Sequence, residues 1–150
     1  MTGNNSEEDS MNRRLRSLLL ACLALIPASA YADTLLVTVS GMKAGQGNLR
    51  VAVFDEEHRE EFAEGEHLHS AEVPATAEKM TVEIPNVEAG EYAIAVFQDL
   101  NENKKLDRNM LKIPKEPYGF SGDWKRGGST YDKASFNTED VGFAVTIELK

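Results

Sequence analysis

The chain has 150 residues, a formal net charge of -9 and one cysteine. This length fits one domain of ordinary size with a core of its own. The acidic balance argues against nucleic acid and anionic membrane surfaces as partners, and a lone cysteine excludes a disulfide framework.

Residues 1–32 read as an N-terminal extension and a leader, not as fold. Arg13, Arg14 and Arg16 precede an apolar run at 17–26, Pro27 breaks it, and Ala28-Ser29-Ala30 and Ala30-Tyr31-Ala32 offer small-x-small cleavage sites. Cleavage after Ala32 is expected, leaving residues 33–150 as a periplasmic or secreted domain without a membrane-spanning segment. The apolar run itself is shorter than the roughly 20 residues that cross a bilayer. Met11 is an alternative start, because residues 1–10 are polar and acidic. A competing reading takes Leu19-Leu20-Ala21-Cys22 as a lipoprotein cleavage box with Cys22 lipidated. Continuation of the apolar run to Ile26 counts against it. Once the leader is removed no cysteine remains, so the domain must be held by its core.

Period-2 alternation marks the strands. Leu35, Val37 and Val39 alternate with Leu36 and Thr38, and Leu49, Val51 and Val53 with Arg50 and Ala52. A helix is suggested only at 55–64, with Asp55 as its cap and Phe62 as its anchor. Residues 67–73 form a weaker strand candidate. Met80, Val82 and Ile84 alternate again, residues 92–97 are apolar on both faces as in a central strand, and Phe143, Val145, Ile147 and Leu149 close the series. Glycine-rich turns at 41–47, 86–90 and 119–128 separate these runs. About seven strands without alternating helices predict an all-β, antiparallel sandwich with one long ordered loop. At residues 82–94 a strand, a short connection and Gly90 lead to Tyr92. Gly90 is expected to supply a positive φ, and the Tyr92 hydroxyl to reach backbone. This segment resembles the corner of transthyretin-like and carboxypeptidase-regulatory-like sandwiches.

The loop after the central strand carries the most information. Asp99, Asn101, Asn103 and Asp107 place side-chain oxygens at alternate positions, and Lys105 offers a carbonyl. That spacing wraps calcium in a short loop, yet it also suits metal-free turns capped by their own side chains. Counting from Asp99, the sixth place is Lys104 instead of glycine and the twelfth is Met110 instead of a carboxylate, so any calcium bound there is weak. Glu102 or Glu116 are the candidates to complete a shell. Calcium is the cofactor candidate at this loop.

Four segments together resemble one bacterial family, domain of unknown function 2141. They are Gly47-Asn48-Leu49-Arg50-Val51-Ala52-Val53-Phe54-Asp55, then Gly90-Glu91-Tyr92-Ala93-Ile94-Ala95-Val96-Phe97-Gln98-Asp99, then Asn101-Glu102-Asn103-Lys104-Lys105-Leu106-Asp107, and Ile113-Pro114-Lys115-Glu116-Pro117-Tyr118-Gly119-Phe120-Ser121. The resemblance covers about residues 35–149 and implies an exported β-sandwich of no established activity. It also implies glycine where this chain has Lys104 and Lys112.

Two further constellations compete with the loop. Glu116, Tyr118, Phe120 and Trp124 form either a satellite core under the loop or a surface for a sugar or peptidoglycan fragment. His58, His67 and His69 lie among Glu57, Glu61, Glu64 and Glu66. If 67–73 is a strand, His67 and His69 share a face at a spacing that suits zinc or copper. A metal-dependent envelope enzyme would need these histidines to converge on Asp99 and Glu116. Nucleophile motifs and phosphate loops are absent from the sequence, so the expectation is a non-enzymatic monomer whose loop binds an envelope protein or glycan.

Overall fold

The computed structural model of the chain describes residues 32–124 and 128–150. Residues 1–31, which hold Cys22 and all of the expected leader except Ala32, lie outside the described residues.

Eight strands follow in order: β1 Asp33–Ser40, β2 Asn48–Phe54, β3 His69–Pro74, β4 Lys79–Val87, β5 Glu91–Asp99, β6 Tyr118–Phe120, β7 Phe136–Asn137 and β8 Ala144–Glu148. Two single-turn helices, α1 Tyr131–Ala134 and α2 Thr138–Val141, flank β7. They form a three-stranded sheet, β4-β1-β8, and a five-stranded sheet, β3-β2-β5-β6, in which β7 adds to β5. The all-β sandwich is as expected, with one departure from antiparallel order: β1 and β8 pair in parallel.

Alternation explains which side chains meet between the sheets. Leu35, Val37 and Val39 of β1 pack with Leu49, Val51 and Val53 of β2, Val82 and Ile84 of β4, Ile94 and Val96 of β5, and Ile147 of β8. Cross-strand partners share a face, so Arg50, Ala52 and Phe54 lie beside Phe97, Ala95 and Ala93 on the opposite, outer face of the larger sheet. Part of that outer face is covered. Phe54, Ala93, Tyr131 and Ala134 form a second buried cluster, with Phe62 and Phe120 packed against it. This second cluster is the reason β5 is apolar on both faces.

The expected helix at 55–64 is a single 3-10 turn, Arg59–Glu61. Asp55 Oδ1 accepts the His58 amide at 3.1 Å and so closes a side-chain-capped turn that competes with helix. Phe62 does anchor the segment, 5.2 Å from the Phe54 ring and 5.5 Å from that of Phe120. At the corner the Tyr92 hydroxyl donates to Glu88 O at 3.1 Å, as expected. The positive φ, however, is at Asn86 (61°) and not at Gly90. Asn tolerates this conformation because its short polar side chain can bond locally. Gly90 instead meets Thr138, which accepts its amide at 2.9 Å and returns a backbone N–H to its carbonyl at 2.9 Å.

Candidate functional site

The site begins where β5 ends. Asp99 lies opposite Asn48 of β2, and the preceding Gly47, at φ +59°, lies directly on the Asp99 backbone. A Cβ on Gly47 would stand 2.0 Å from Asp99 O. The Asp99 side chain is wholly buried, and three donors converge on it. Its Oδ1 accepts Asn103 N at 3.1 Å, and its Oδ2 accepts Lys104 N at 2.7 Å and Arg50 Nε at 3.0 Å. Arg50 also places Nη2 2.8 Å from Glu72 Oε2, an ion pair without hydrogen-bond alignment.

A second buried carboxylate holds the other side of the loop. Glu116 Oε1 accepts Leu100 N at 2.8 Å and its Oε2 accepts Asp107 N at 2.9 Å. Glu116 is therefore an internal clamp and not part of the expected binding surface, because both of its oxygens serve loop amides.

Asn101 and Asn103 complete the network. Asn101 Oδ1 accepts Asn103 N at 3.2 Å and Asn103 Oδ1 accepts Lys105 N at 2.9 Å. Their amide nitrogens donate to Asp107, at 2.7 Å from Asn101 and 3.0 Å from Asn103. Asp99, Asn101, Asn103 and Asp107 thus come together, each with its side-chain oxygens engaged by N–H donors. Glu102 (φ 58°) and Lys104 (φ 67°) both take the left-handed conformation. Lys104 adopts this turn without being glycine. Among the described residues, no group of three or more His, Cys, Asp or Glu side chains is placed to hold a metal.

Beyond this knot the chain forms a small hairpin. Arg108 bridges Pro114, Lys115 N donates to Asp107 O at 2.8 Å, and Asn109 N donates to Ile113 O at 2.9 Å. Asn109 Oδ1 accepts both Leu111 N and Ile113 N, and Lys112 takes a positive φ of 60° at the exit of the turn. Left-handed residues after a turn are the usual way to close such a loop. Arg108 then reaches across to Glu64, 3.1 Å away.

Between this hairpin and the outer face of the larger sheet runs a groove of about 830 Å³. Ala52, Ala95, Phe97, Tyr118 and Phe120 line it from the strands, the Lys104–Pro114 side of the loop from one flank, and Glu64 and His67 from the other. Tyr118, Phe120 and Trp124 form one aromatic group, with Trp124 centred 5.3 Å from each of the other two rings. Phe120 also touches Phe62, so the group belongs to the satellite core while Tyr118 and Phe120 border the groove.

The histidines do not assemble. Strand β3 begins only at His69, so the expected common face of His67 and His69 does not form. His67 sets its ring 6.0 Å from Phe54, on the outer face, whereas His69 lies opposite Val53, a core residue between the sheets. Along β2, Asn48 marks the Asp99 end and Val53 the His69 end, roughly 17 Å apart at strand rise. His58 bonds Asp55 through Nδ1 at 2.5 Å. That bond, foremost, raises the imidazole above its ordinary range. Burial alone pushes the Asp55 carboxyl up, but the hydrogen bonds and charge of His58 outweigh it and leave Asp55 below its usual value.

Two residues essential to the site carry no sequence signal of their own. Arg50 reads as an exposed member of an alternating strand, although it partners the buried Asp99. Gln98, also fully buried, turns to the other face. It accepts Lys43 N at 2.8 Å and donates to Lys43 O and Gln46 O, which fixes the turn that carries Gly47.

No curated protein and no solved structure matches the chain. A family model described as an uncharacterized protein conserved in bacteria matches residues 37–145. The matched span runs from β1 into β8 and contains the whole Asp99–Glu116 network, so the chain belongs to this bacterial family, domain of unknown function 2141.

Proposed function

We propose that the protein is an exported, non-enzymatic β-sandwich module that binds a glycan in the groove beneath its long loop. The observation that carries this reading is the order built into the loop. Antiparallel neighbours such as β5 and β6 can be joined by as few as about two residues. Here residues 100–117 intervene, and Asp99, Arg50 and Glu116 hold them as a wall over an apolar sheet face. Long ordered loops on a rigid scaffold are where binding surfaces concentrate. Ala52 and Ala95 leave a depression beside Tyr118 and Phe120. A sugar ring stacked on those aromatics finds Lys104 and Arg108 within the same groove as polar partners.

The non-enzymatic part rests on the carboxylates: Asp99 and Glu116 serve backbone amides, and the histidines do not converge on them. His58 bonds Asp55, His67 packs against Phe54 on the far flank of the groove, and His69 lies opposite Val53. In this reading calcium is not required, because the oxygens that would bind it already accept N–H groups.

Trp124 is the only tryptophan of the chain, and its contact with Tyr118 and Phe120 makes its emission a reporter of the groove. Titration with soluble peptidoglycan fragments is expected to give a saturable change that Ala52→Leu removes by raising the groove floor. No response, or an equal response in Ala52→Leu, would overturn the glycan assignment. Millimolar calcium is expected to leave thermal melting unchanged. A rise in melting temperature that disappears in Asp99→Ala would restore the cation.

A further inference from the structure

We propose that the tip of the 107–115 hairpin docks on an anionic lipid bilayer, with Met110, Leu111 and Ile113 entering the interface and the neighbouring lysines meeting the headgroups. This contact is a second one on the same loop: Met110 and Leu111 lie outside the groove, whereas Lys104, Lys105, Arg108, Lys112 and Ile113 also line one of its flanks.

The apolar side chains are presented, not merely uncovered. Met110 is fully exposed, Leu111 78% and Ile113 55%, three large apolar groups within four positions. The other exposed large hydrophobics, Leu36, Leu68 and Val141, are each single and lie in other parts of the sequence. A contiguous exposed apolar group marks an interaction site more strongly than scattered ones. The hairpin is held by backbone bonds, by the Asn109 side chain and by the Arg108–Glu64 strut, so the exposure belongs to a defined conformation.

Charge selects the partner. Residues 104–115 contain Lys104, Lys105, Arg108, Lys112 and Lys115 against Asp107 alone, a net +4 within a chain of -9. Two asparagine amides already engage Asp107. Lys104, Lys105, Lys112 and Lys115 are exposed, and the ion pairs among the described residues include none of them. The whole-chain charge that argues against anionic surfaces is thus reversed at this one place. Lysine is a flexible point charge suited to a fluid array of headgroups, whereas fixed bidentate recognition favours arginine. Each cation close to an anionic bilayer strengthens attachment about fivefold. The acidic remainder of the chain is repelled by the same surface, so the molecule is oriented with its tip down.

The test uses a chain beginning at Asp33, so that the apolar run at 17–26 contributes nothing, and co-sedimentation with vesicles. Binding to phosphatidylglycerol-containing vesicles is expected to exceed binding to pure phosphatidylcholine and to weaken as salt is raised. The pair Met110→Asp and Leu111→Asp is expected to lower binding at least tenfold. The pair Lys105→Glu and Lys112→Glu is expected to erase the preference for anionic lipid. Urea midpoints measured alongside verify that each variant is folded. Equal binding to both lipids, or wild-type binding by the double-aspartate variant, would overturn the proposal. Capture on polyglutamate beads without binding to anionic vesicles would overturn it in favour of an acidic protein partner.

Discussion

Asp99→Ala tests the reasoning about the loop most directly. The substitution deletes the acceptor for Arg50 Nε and for the amides of Asn103 and Lys104 while leaving those donors in place. Breaking a buried ion pair from one side costs about 3–5 kcal/mol. Arg50 keeps its contact with Glu72 and is 19% exposed, which puts this loss near the lower end. The two amides add about 1 kcal/mol each, since the exposed loop can relax and take up water. The expected total is about 4–5 kcal/mol, against a stability of about 5–15 kcal/mol for an ordinary domain. Asp99→Asn keeps the shape and one acceptor, and about 2–3 kcal/mol is expected for it. Urea unfolding followed by Trp124 emission gives the free energies, and tryptic cleavage after Lys104 and Lys105 reports the loop. An Asp99→Ala variant that lies within about 1 kcal/mol of wild type and whose loop resists trypsin equally would refute this role for Asp99.

Two further outcomes follow from local geometry. Gly47→Ala is expected to destabilise by about 3 kcal/mol, combining positive φ with the 2.0 Å approach to Asp99 O, whereas Gly45→Ala, with open space around it, is expected to cost only about 1 kcal/mol. Equal urea midpoints for the two variants would contradict the close approach. The Asp55–His58 pair gives a pH dependence of known sign. A raised imidazole pKa stabilises fully below its unfolded value near about 6.5, and that contribution is lost as pH rises through the folded value. The lowered Asp55 contributes above its usual value and loses that contribution as pH falls through the folded one. Wild-type urea midpoints are therefore expected to fall between about pH 6 and pH 8 by more than those of His58→Ala. Parallel pH profiles would show that the pair is not coupled to folding.

Much of this architecture is legible in the residues because the code for strands is local. Alternation locates β1, β2, β4 and β8, and the doubly apolar run at 92–97 locates β5 and announces a covered outer face. Positions 104 and 112, where the family resemblance implies glycine, are left-handed turns even though lysine occupies them. The Asx spacing at residues 99–107 admits both a calcium loop and self-capped turns, and the side-chain bonds found there are those of the turns. What stays hidden is long-range or too short to be periodic. Nothing local distinguishes an Arg50 that pairs with a buried Asp99 from one that faces water. Helices α1 and α2 are single turns without room for a repeat. The apparent common face of His67 and His69 depends on where β3 starts, a boundary set by backbone bonding: Leu68 N donates to Val53 O. Gly90 misleads for a similar reason, since its value lies in the approach of Thr138 from a distant segment.

The parallel pairing of β1 with β8 also bears on how the molecule acquires its shape. The smaller sheet joins the first strand of the sandwich to the last, and Lys150 exchanges backbone bonds with Tyr118 of the larger sheet. Such distant partners must close nearly the whole domain before the contacts repay the lost chain entropy, which makes folding slow relative to proteins built from near-neighbour contacts. The bonds made within residues 99–107, by contrast, each span 6 residues or fewer. Assembly is therefore limited by the meeting of the outermost strands, and until β8 arrives one edge of β1 remains open to the wrong partner.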